Sequence, residues 1–131
     1  MSRMMGAFNS AYGQQTITFN YTSALVTTKF FIASRPTKVK HIRGIVVTQG
    51  SGGACTLQVY KAADTVAIAS GKLLHSGTYD LAGTADAAQT MTMATDQNTV
   101  TLNEGDSIGF VLTGTATSAV GVIEVVLEPL S

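Results

Sequence analysis

Residues 15–21 read Gln15-Thr-Ile-Thr-Phe-Asn-Tyr21, and their strict alternation of apolar and polar side chains indicates a β-strand. Ile17, Phe19 and Tyr21 fall on one face of such a strand, and three short polar side chains fall on the other. A strand of this kind covers a core with one face only. The same period of two recurs along the chain, and helical periodicity is nearly absent.

Further strand candidates follow this first one, with turn residues between them about every 8 to 12 residues. They are Leu25–Ile32, Val39–Thr48, Cys55–Tyr60, Val66–Ser70, Lys72–His75, Gln89–Ala94, Thr99–Leu102, Ile108–Leu112 and Val120–Leu127. Parallel strands need crossover helices, and none is indicated. The sequence therefore predicts an all-β fold, an antiparallel β-sandwich that is jelly-roll-like and has about eight to ten strands.

Local signals refine this prediction at a few positions. Gly44 inside a long strand predicts a bulge or a close approach of another group to the backbone. Residues 78–87 are predicted to form an irregular crossing loop, and Asp96-Gln97-Asn98 a turn. Residues 1–13, with several small residues, are predicted to be a flexible N-terminal arm, followed by one domain over residues 14–131.

Composition excludes several classes of protein. The 131 residues contain 45% hydrophobic side chains, which disfavours disorder, and a single cysteine, which excludes a disulfide scaffold. No apolar stretch of about 20 residues occurs, so no membrane span is predicted. Only 12% of the residues are charged, against about 25% in an average soluble domain.

The charges are sorted along the chain. Seven basic residues and no acidic one precede Asp64, whereas all eight acidic residues and only Lys72 among the bases follow from there. Such sorting can mark a surface that faces a partner. Alternatively, early and late strands interleave in the sandwich and the opposite charges cancel.

One short motif is similar to the nucleophile block of the GDSL hydrolases, namely Gly105-Asp-Ser-Ile-Gly109. No histidine follows Ser107, and a serine hydroxyl without a positioned base is a poor nucleophile. We therefore interpret this segment as a turn that enters a strand, and we expect no enzymatic activity.

The remaining chemistry-bearing residues have no supporting motif. His41 and His75 are expected to be surface or hydrogen-bonded core histidines, and Cys55 a buried thiol. Asp96 and Asn98 fall well short of the oxygen ligands that calcium needs. We predict neither a metal site nor a cofactor.

The densest basic cluster consists of Arg35, Lys38, Lys40 and Arg43. Lys38 and Lys40 share one strand face, and Arg43 lies on the other with Val39 and His41 unless a bulge at Gly44 shifts it. Nucleic acid is not the expected partner, because the net charge is zero and no aromatic residue interleaves the cluster. Contact with an acidic protein surface or a solvated strand is expected instead.

Apart from Glu124 and Glu128, the last strand is apolar on both faces, with Val120, Val122 and Val126 opposite an apolar set. A strand of this kind is buried on both faces. Depletion of charge is also typical of an interface core. These residues therefore predict contact with other protein molecules.

The chain resembles the small β-sandwich decoration, or cement, proteins of tailed-bacteriophage heads. The resemblance lies in the short arm, the Thr-, Ala- and Gly-rich strands, and the run Leu102-Asn-Glu-Gly-Asp-Ser-Ile-Gly-Phe-Val-Leu112. It implies a homo-oligomer on the capsid exterior, made in the host cytoplasm, that bridges subunits of the major capsid protein.

In that interpretation, the partner contacts are two groups of residues. The basic residues Arg3, Arg35, Lys38, Lys40 and Arg43 would orient the protein, and Val120, Val122 and Val126 would supply apolar contact. The alternative is a carbohydrate- or receptor-binding module of a phage tail or fibre. Sugar binding would need an exposed aromatic residue, for which Tyr60 is the candidate.

Overall fold

The computed structural model describes residues 13–22, 26–51, 53–115 and 117–130. The predicted arm, apart from Gly13, lies outside the described residues, and so does Arg3. Twelve strands occur in the described part: β1 Gln15–Tyr21, β2 Thr28–Ile32, β3 Thr37–Thr48, β4 Thr56–Ala62, β5 Lys72–Leu73, β6 His75–Ser76, β7 Tyr79–Asp80, β8 Ala88–Thr90, β9 Thr92–Met93, β10 Thr101–Leu102, β11 Ser107–Thr113 and β12 Val120–Pro129.

The strands form two five-stranded antiparallel sheets and one small pair. Sheet A has the order β1-β12-β3-β10, and β8 also pairs with β3. Sheet B has the order β2-β11-β4-β5, and β7 also pairs with β4; β6 pairs with β9. Neighbouring strands come from opposite ends of the chain, as in a jelly roll. The predicted antiparallel β-sandwich is confirmed.

The core lies between the two sheets. Its fully buried members include Ile42 and Ile123 from sheet A, and Leu57, Ile108 and Phe110 from sheet B. Along β12, alternate residues are buried, as the period of two predicts for a strand at the centre of a sheet.

Aromatic rings join the sheets at one end of this core. Phe19 of β1 lies 5.3 Å from Phe30 of β2 and 5.0 Å from Phe110 of β11, measured between ring centroids. These separations are typical of favourable aromatic pairs. The alternation seen in residues 15–21 therefore buries its apolar face as predicted.

Two tyrosines account for two glycines of sheet A. The hydroxyls of Tyr21 and Tyr79 form a buried hydrogen bond of 2.8 Å. A Cβ on Gly44 would lie 2.7 Å from the Tyr79 ring, and one on Gly121 would collide with the Tyr21 hydroxyl. Gly44 is therefore a site of close approach, one of the two outcomes that the sequence predicts.

The bulges of β3 lie elsewhere. The register with β12 shifts between Val126 and Leu127, which leaves Lys40 as the extra residue, and again between Val120 and Gly121, which leaves Val47. After each bulge, the side chains of β3 lie on the face opposite to the one that unbroken alternation would give them.

Two local predictions are wrong. The strand predicted at Val66–Ser70 is a loop ending in a 3₁₀ helix, Ile68–Ser70, of which only Ile68 is buried. The turn predicted at Asp96–Asn98 starts a one-turn helix, α1 (Gln97–Val100), because the Asp96 carboxylate accepts a 2.9 Å hydrogen bond from the Asn98 amide.

Candidate interaction surface

The outer face of sheet A presents rows of side chains across β1, β12 and β3. In one row Val122 lies opposite Ile45, and in the next Glu124 lies opposite Arg43. Val126 lies opposite His41 in a third row. This face therefore carries an apolar row, then a charged row, then a row that pairs a valine with a histidine.

We call Ile45, Val47, Val120 and Val122 the outer apolar patch. Ile45 is 37% exposed and Val47 is 53% exposed, whereas Val120 and Val122 are half-buried. No described residue covers this patch beyond the side chains of the sheet itself. The isolated chain buries the inner face of β12 and leaves its outer face partly exposed, so the burial of that outer face against other protein molecules stays a prediction.

Sequence reasoning missed the contribution of β3 to this patch. Ile45 and Val47 flank Val46, so residues 45–47 are apolar on both faces of the strand. The same signal that drew attention to Val120, Val122 and Val126 is thus present in β3. Apolar residues on both faces of two adjacent central strands predict a covered outer face.

The basic residues of β3 lie on the same outer face. The bulge at Lys40 places Val39 and Ile42 in the core and turns Arg43 to the side of Lys38. Their acidic counterparts lie on the adjacent strand: Arg43 Nε is 2.5 Å from an oxygen of Glu124, and Lys40 Nζ is 3.8 Å from one of Glu128.

The sorted charges of the sequence thus meet in space. Basic β3 and acidic β12 are adjacent strands, so the interleaved interpretation holds for Lys40 and Arg43. Such exposed pairs contribute only about 0 to 1 kcal/mol each. Arg35 is exposed in the segment before β3, and its backbone carbonyl accepts a 2.8 Å hydrogen bond from the Thr37 hydroxyl.

Ser107 is occupied by the backbone. Its side chain is buried, and its hydroxyl donates a 3.2 Å hydrogen bond to the carbonyl of Ala62. Gly105 adopts a φ of 92°, and the Asp106 carboxylate accepts from the Asn103 amide at 2.9 Å. The motif is a turn that enters β11, as interpreted from the sequence.

His75 is a buried histidine whose ring nitrogens both bind backbone groups. Its Nε2 accepts a 2.9 Å hydrogen bond from the amide of Val59, so Nδ1 carries the proton and donates to the Ser76 carbonyl at 2.9 Å. Burial lowers the pKa of His75 below its ordinary value. His41, by contrast, is exposed on the outer face of sheet A.

The other candidates have structural roles. Cys55 is buried, and burial, followed by the nearby Asp80, raises the pKa of its thiol. Lys61 Nζ donates to the carbonyls of Asn98 and Thr101 at 2.6 and 2.7 Å, and burial lowers its pKa. Tyr60 of β4 is only partly exposed.

The described residues contain no group of three or more His, Cys, Asp or Glu side chains that could hold a metal ion. None of their helices is long and apolar enough to cross a bilayer. A cavity of about 160 Å³ opens between β1 and β2, with Phe19, Tyr21, Val26 and Phe110 among its walls.

Comparisons with known proteins give structural alignments at low sequence identity. No family model and no curated protein matches the chain. A structure of Bacillus endospore appendages, described as disulfide-linked pili, aligns with a TM-score of 0.44 and 12% identity over 95% of this chain and 97% of that one.

A structure of infectious bursal disease virus, Gx strain, aligns with a TM-score of 0.44 and 13% identity over 89% of this chain. This chain spans about a third of the viral one, which is covered to 32%.

Proposed function

We propose that this chain is a structural subunit that works in contact with other protein molecules, and more specifically that it decorates the outside of a tailed-bacteriophage capsid. The observation that carries the proposal is the outer apolar patch, which lies at one end of the two central strands of sheet A. Exposed apolar patches of this kind mark interaction surfaces. The low charge content of the chain, 12%, agrees with a protein that is held by neighbours.

The patch would supply the affinity of this contact. Full burial of a valine or isoleucine side chain contributes about 1.5 to 3 kcal/mol, more than an exposed ion pair. The rows of Arg43–Glu124 and Lys40–Glu128 beside it would fix the orientation of the bound subunit, since they present both signs of charge in a fixed order.

The mechanism would be bridging. A subunit bound across a junction of the major capsid protein must be released before the junction opens, so its binding free energy adds to the stability of the shell. Arg3 and the predicted arm would extend the contact to a neighbouring subunit.

The test uses shells assembled from the major capsid protein encoded in the same genome as this chain. Val47→Glu places a charge in the patch and is expected to weaken co-sedimentation with these shells about tenfold or more. Ile32→Glu is the matched control, because Ile32 is 70% exposed on β2 of the other sheet.

Bound wild-type protein is also expected to raise the temperature at which the shells open. The proposal fails if the wild-type chain does not bind the shells, or if both variants lose binding equally.

A further inference from the structure

The free edge of β1 is the longest unprotected strand edge in the described part of the molecule. β1 pairs with β12 over all seven residues, from Gln15↔Leu127 to Tyr21↔Gly121, and no other described strand pairs with it. In an antiparallel pair, backbone groups point alternately toward the partner and away from it. About half of the N–H and C=O groups of β1 therefore point outward from the sheet.

The corresponding edges of β3 and β4 are covered. Along β3, the strand β10 pairs with its first two residues and β8 with its middle, and the amides of Asp86 and Met91 donate to Val46 and Ile42 at 2.7 and 2.9 Å. Along β4, β5 and β7 do the same, and His75 accepts from the Val59 amide between them. Short segments thus leave no long edge on this side.

The edge of β2 carries three features that discourage pairing. It is five residues long with the exposed Lys29 near its start, and its register with β11 shifts between Ile108 and Gly109. Charged side chains, short length and bulges are the means by which proteins protect strand edges. β1 has none of them, since it contains no charge, no proline and no shift of register.

The sequence of β1 is also complementary to itself. In an antiparallel pairing about a two-fold axis at Thr18, Ile17 lies opposite Phe19 and Thr16 lies opposite Asn20. Ile17 and Phe19 are half-buried and already pack on the core, so the pairing would extend the cores of both copies. No like charges oppose each other.

We infer that β1 is a self-association edge, at which the β1 strands of two copies pair antiparallel about Thr18 and join two A sheets into one. This inference rests on the proposed function, because a structural subunit that works in contact with other protein molecules has a use for self-association. The pairing leaves the outer apolar patch free, because the patch lies on the face of β3 and β12 and not at the β1 edge.

The experiment measures the dimer dissociation constant of the full chain by light scattering over a concentration series, without capsids. Thr18→Lys places two lysines opposite each other at the two-fold axis and is expected to weaken dimerisation about fivefold. The lysine lies beside Glu124, which favours the folded monomer. Thr92→Lys adds the same charge on exposed β9 and is expected to leave the dimer unchanged.

A second variant tests the symmetry. Thr18→Glu alone is expected to weaken the dimer as well. An equimolar mixture of Thr18→Lys and Thr18→Glu is expected to recover association, because residue 18 of one copy lies opposite residue 18 of the other only if it lies on the two-fold axis. Hydrogen exchange of the wild-type chain adds a readout that needs no variant: β1 amides are expected to slow as concentration rises, and β2 amides are not.

The inference is overturned by a wild-type chain that stays monomeric at all concentrations, by a dimer insensitive to Thr18→Lys, by a mixture that does not recover association, or by β1 exchange independent of concentration. Failure of the two proposals is distinguishable. Loss of capsid binding with an intact dimer contradicts the decoration role alone, and capsid binding by a strict monomer contradicts the edge pairing alone.

Discussion

The two long sides of this sandwich differ in how the edges of their outermost long strands are covered. On the closed side, residues 63–106 run along β3 and β4 and satisfy their edges with strands of two or three residues and single hydrogen bonds. On the open side, β1 and β2 end the two sheets, and no described strand covers them. The comparison shows that the edges of β3 and β4 are covered by short, irregular segments, whereas β1 and β2 have no described strand on their outer edges.

The closed side depends on its buried anchors, which gives the largest expected effect. Leu81 is fully buried in the segment after β7, where its amide donates to the Cys55 carbonyl at 3.0 Å. Leu81→Ala is expected to lower the free energy of unfolding by about 2 to 5 kcal/mol, because it leaves a cavity. Denaturant unfolding measures this loss.

Ile32→Ala on the open side is the matched control for Leu81. Ile32 is 70% exposed, so its truncation is expected to change the free energy of unfolding by no more than about 0.5 kcal/mol. Equal losses in the two variants would contradict the distinction between the two sides.

The tyrosine pair connects the two sides and gives an intermediate effect. Tyr21 belongs to β1 and Tyr79 to β7, and each hydroxyl is the buried partner of the other. Tyr79→Phe leaves the Tyr21 hydroxyl unsatisfied, at a cost of about 1 to 3 kcal/mol. Tyr21→Phe has the same effect on Tyr79.

The double variant is expected to lose less free energy of unfolding than the two single variants lose together, because it leaves neither hydroxyl buried without a partner. A double-mutant cycle by thermal and denaturant unfolding measures the coupling. Strict additivity would show that the hydroxyls do not interact in solution.

His75 makes the closed side sensitive to acid, with the smallest expected effect. Burial lowers the pKa of the folded histidine below 6.5, so below that pH the unfolded chain binds more protons than the folded one. The stability that this histidine contributes is therefore complete above about pH 6.5 and is lost as the pH falls through the lowered folded pKa.

Thermal unfolding between neutral and mildly acidic pH measures this dependence. His75→Gln is expected to reduce the slope of stability against pH in that range. An unchanged slope in His75→Gln would show that protonation of His75, which breaks its hydrogen bond with the Val59 amide, does not contribute to the pH dependence of stability.

Sequence patterns predicted much of the fold because they are local. The alternation at residues 15–21 and 120–127 marked strands whose bounds agree with β1 and β12 to within two residues. These patterns failed at Val66–Ser70, a short apolar run after β4 that ends in a 3₁₀ helix. They also failed at Asp96, whose carboxylate caps a one-turn helix where a turn was predicted.

The candidate surface was predicted in part. Val120 and Val122 were identified from apolar residues on both faces of one strand. Ile45 and Val47 were missed, because the sequence analysis considered only Gly44 in this part of β3 and not the apolar residues that follow it. The position of Arg43 required the bulge at Lys40, and a bulge depends on the register between β3 and β12, which no local pattern specifies.

By itself, the sequence determined that the chain is all β, where most strands lie, which faces are apolar and how few charges remain for the surface. These properties follow from side-chain periodicity, which each segment carries alone. Only the tertiary structure decided that acidic β12 lies beside basic β3, that His75 binds the Val59 amide, and that no described strand pairs with the outer edge of β1. Those features depend on pairing between segments distant in the chain, and strand pairing is a long-range choice.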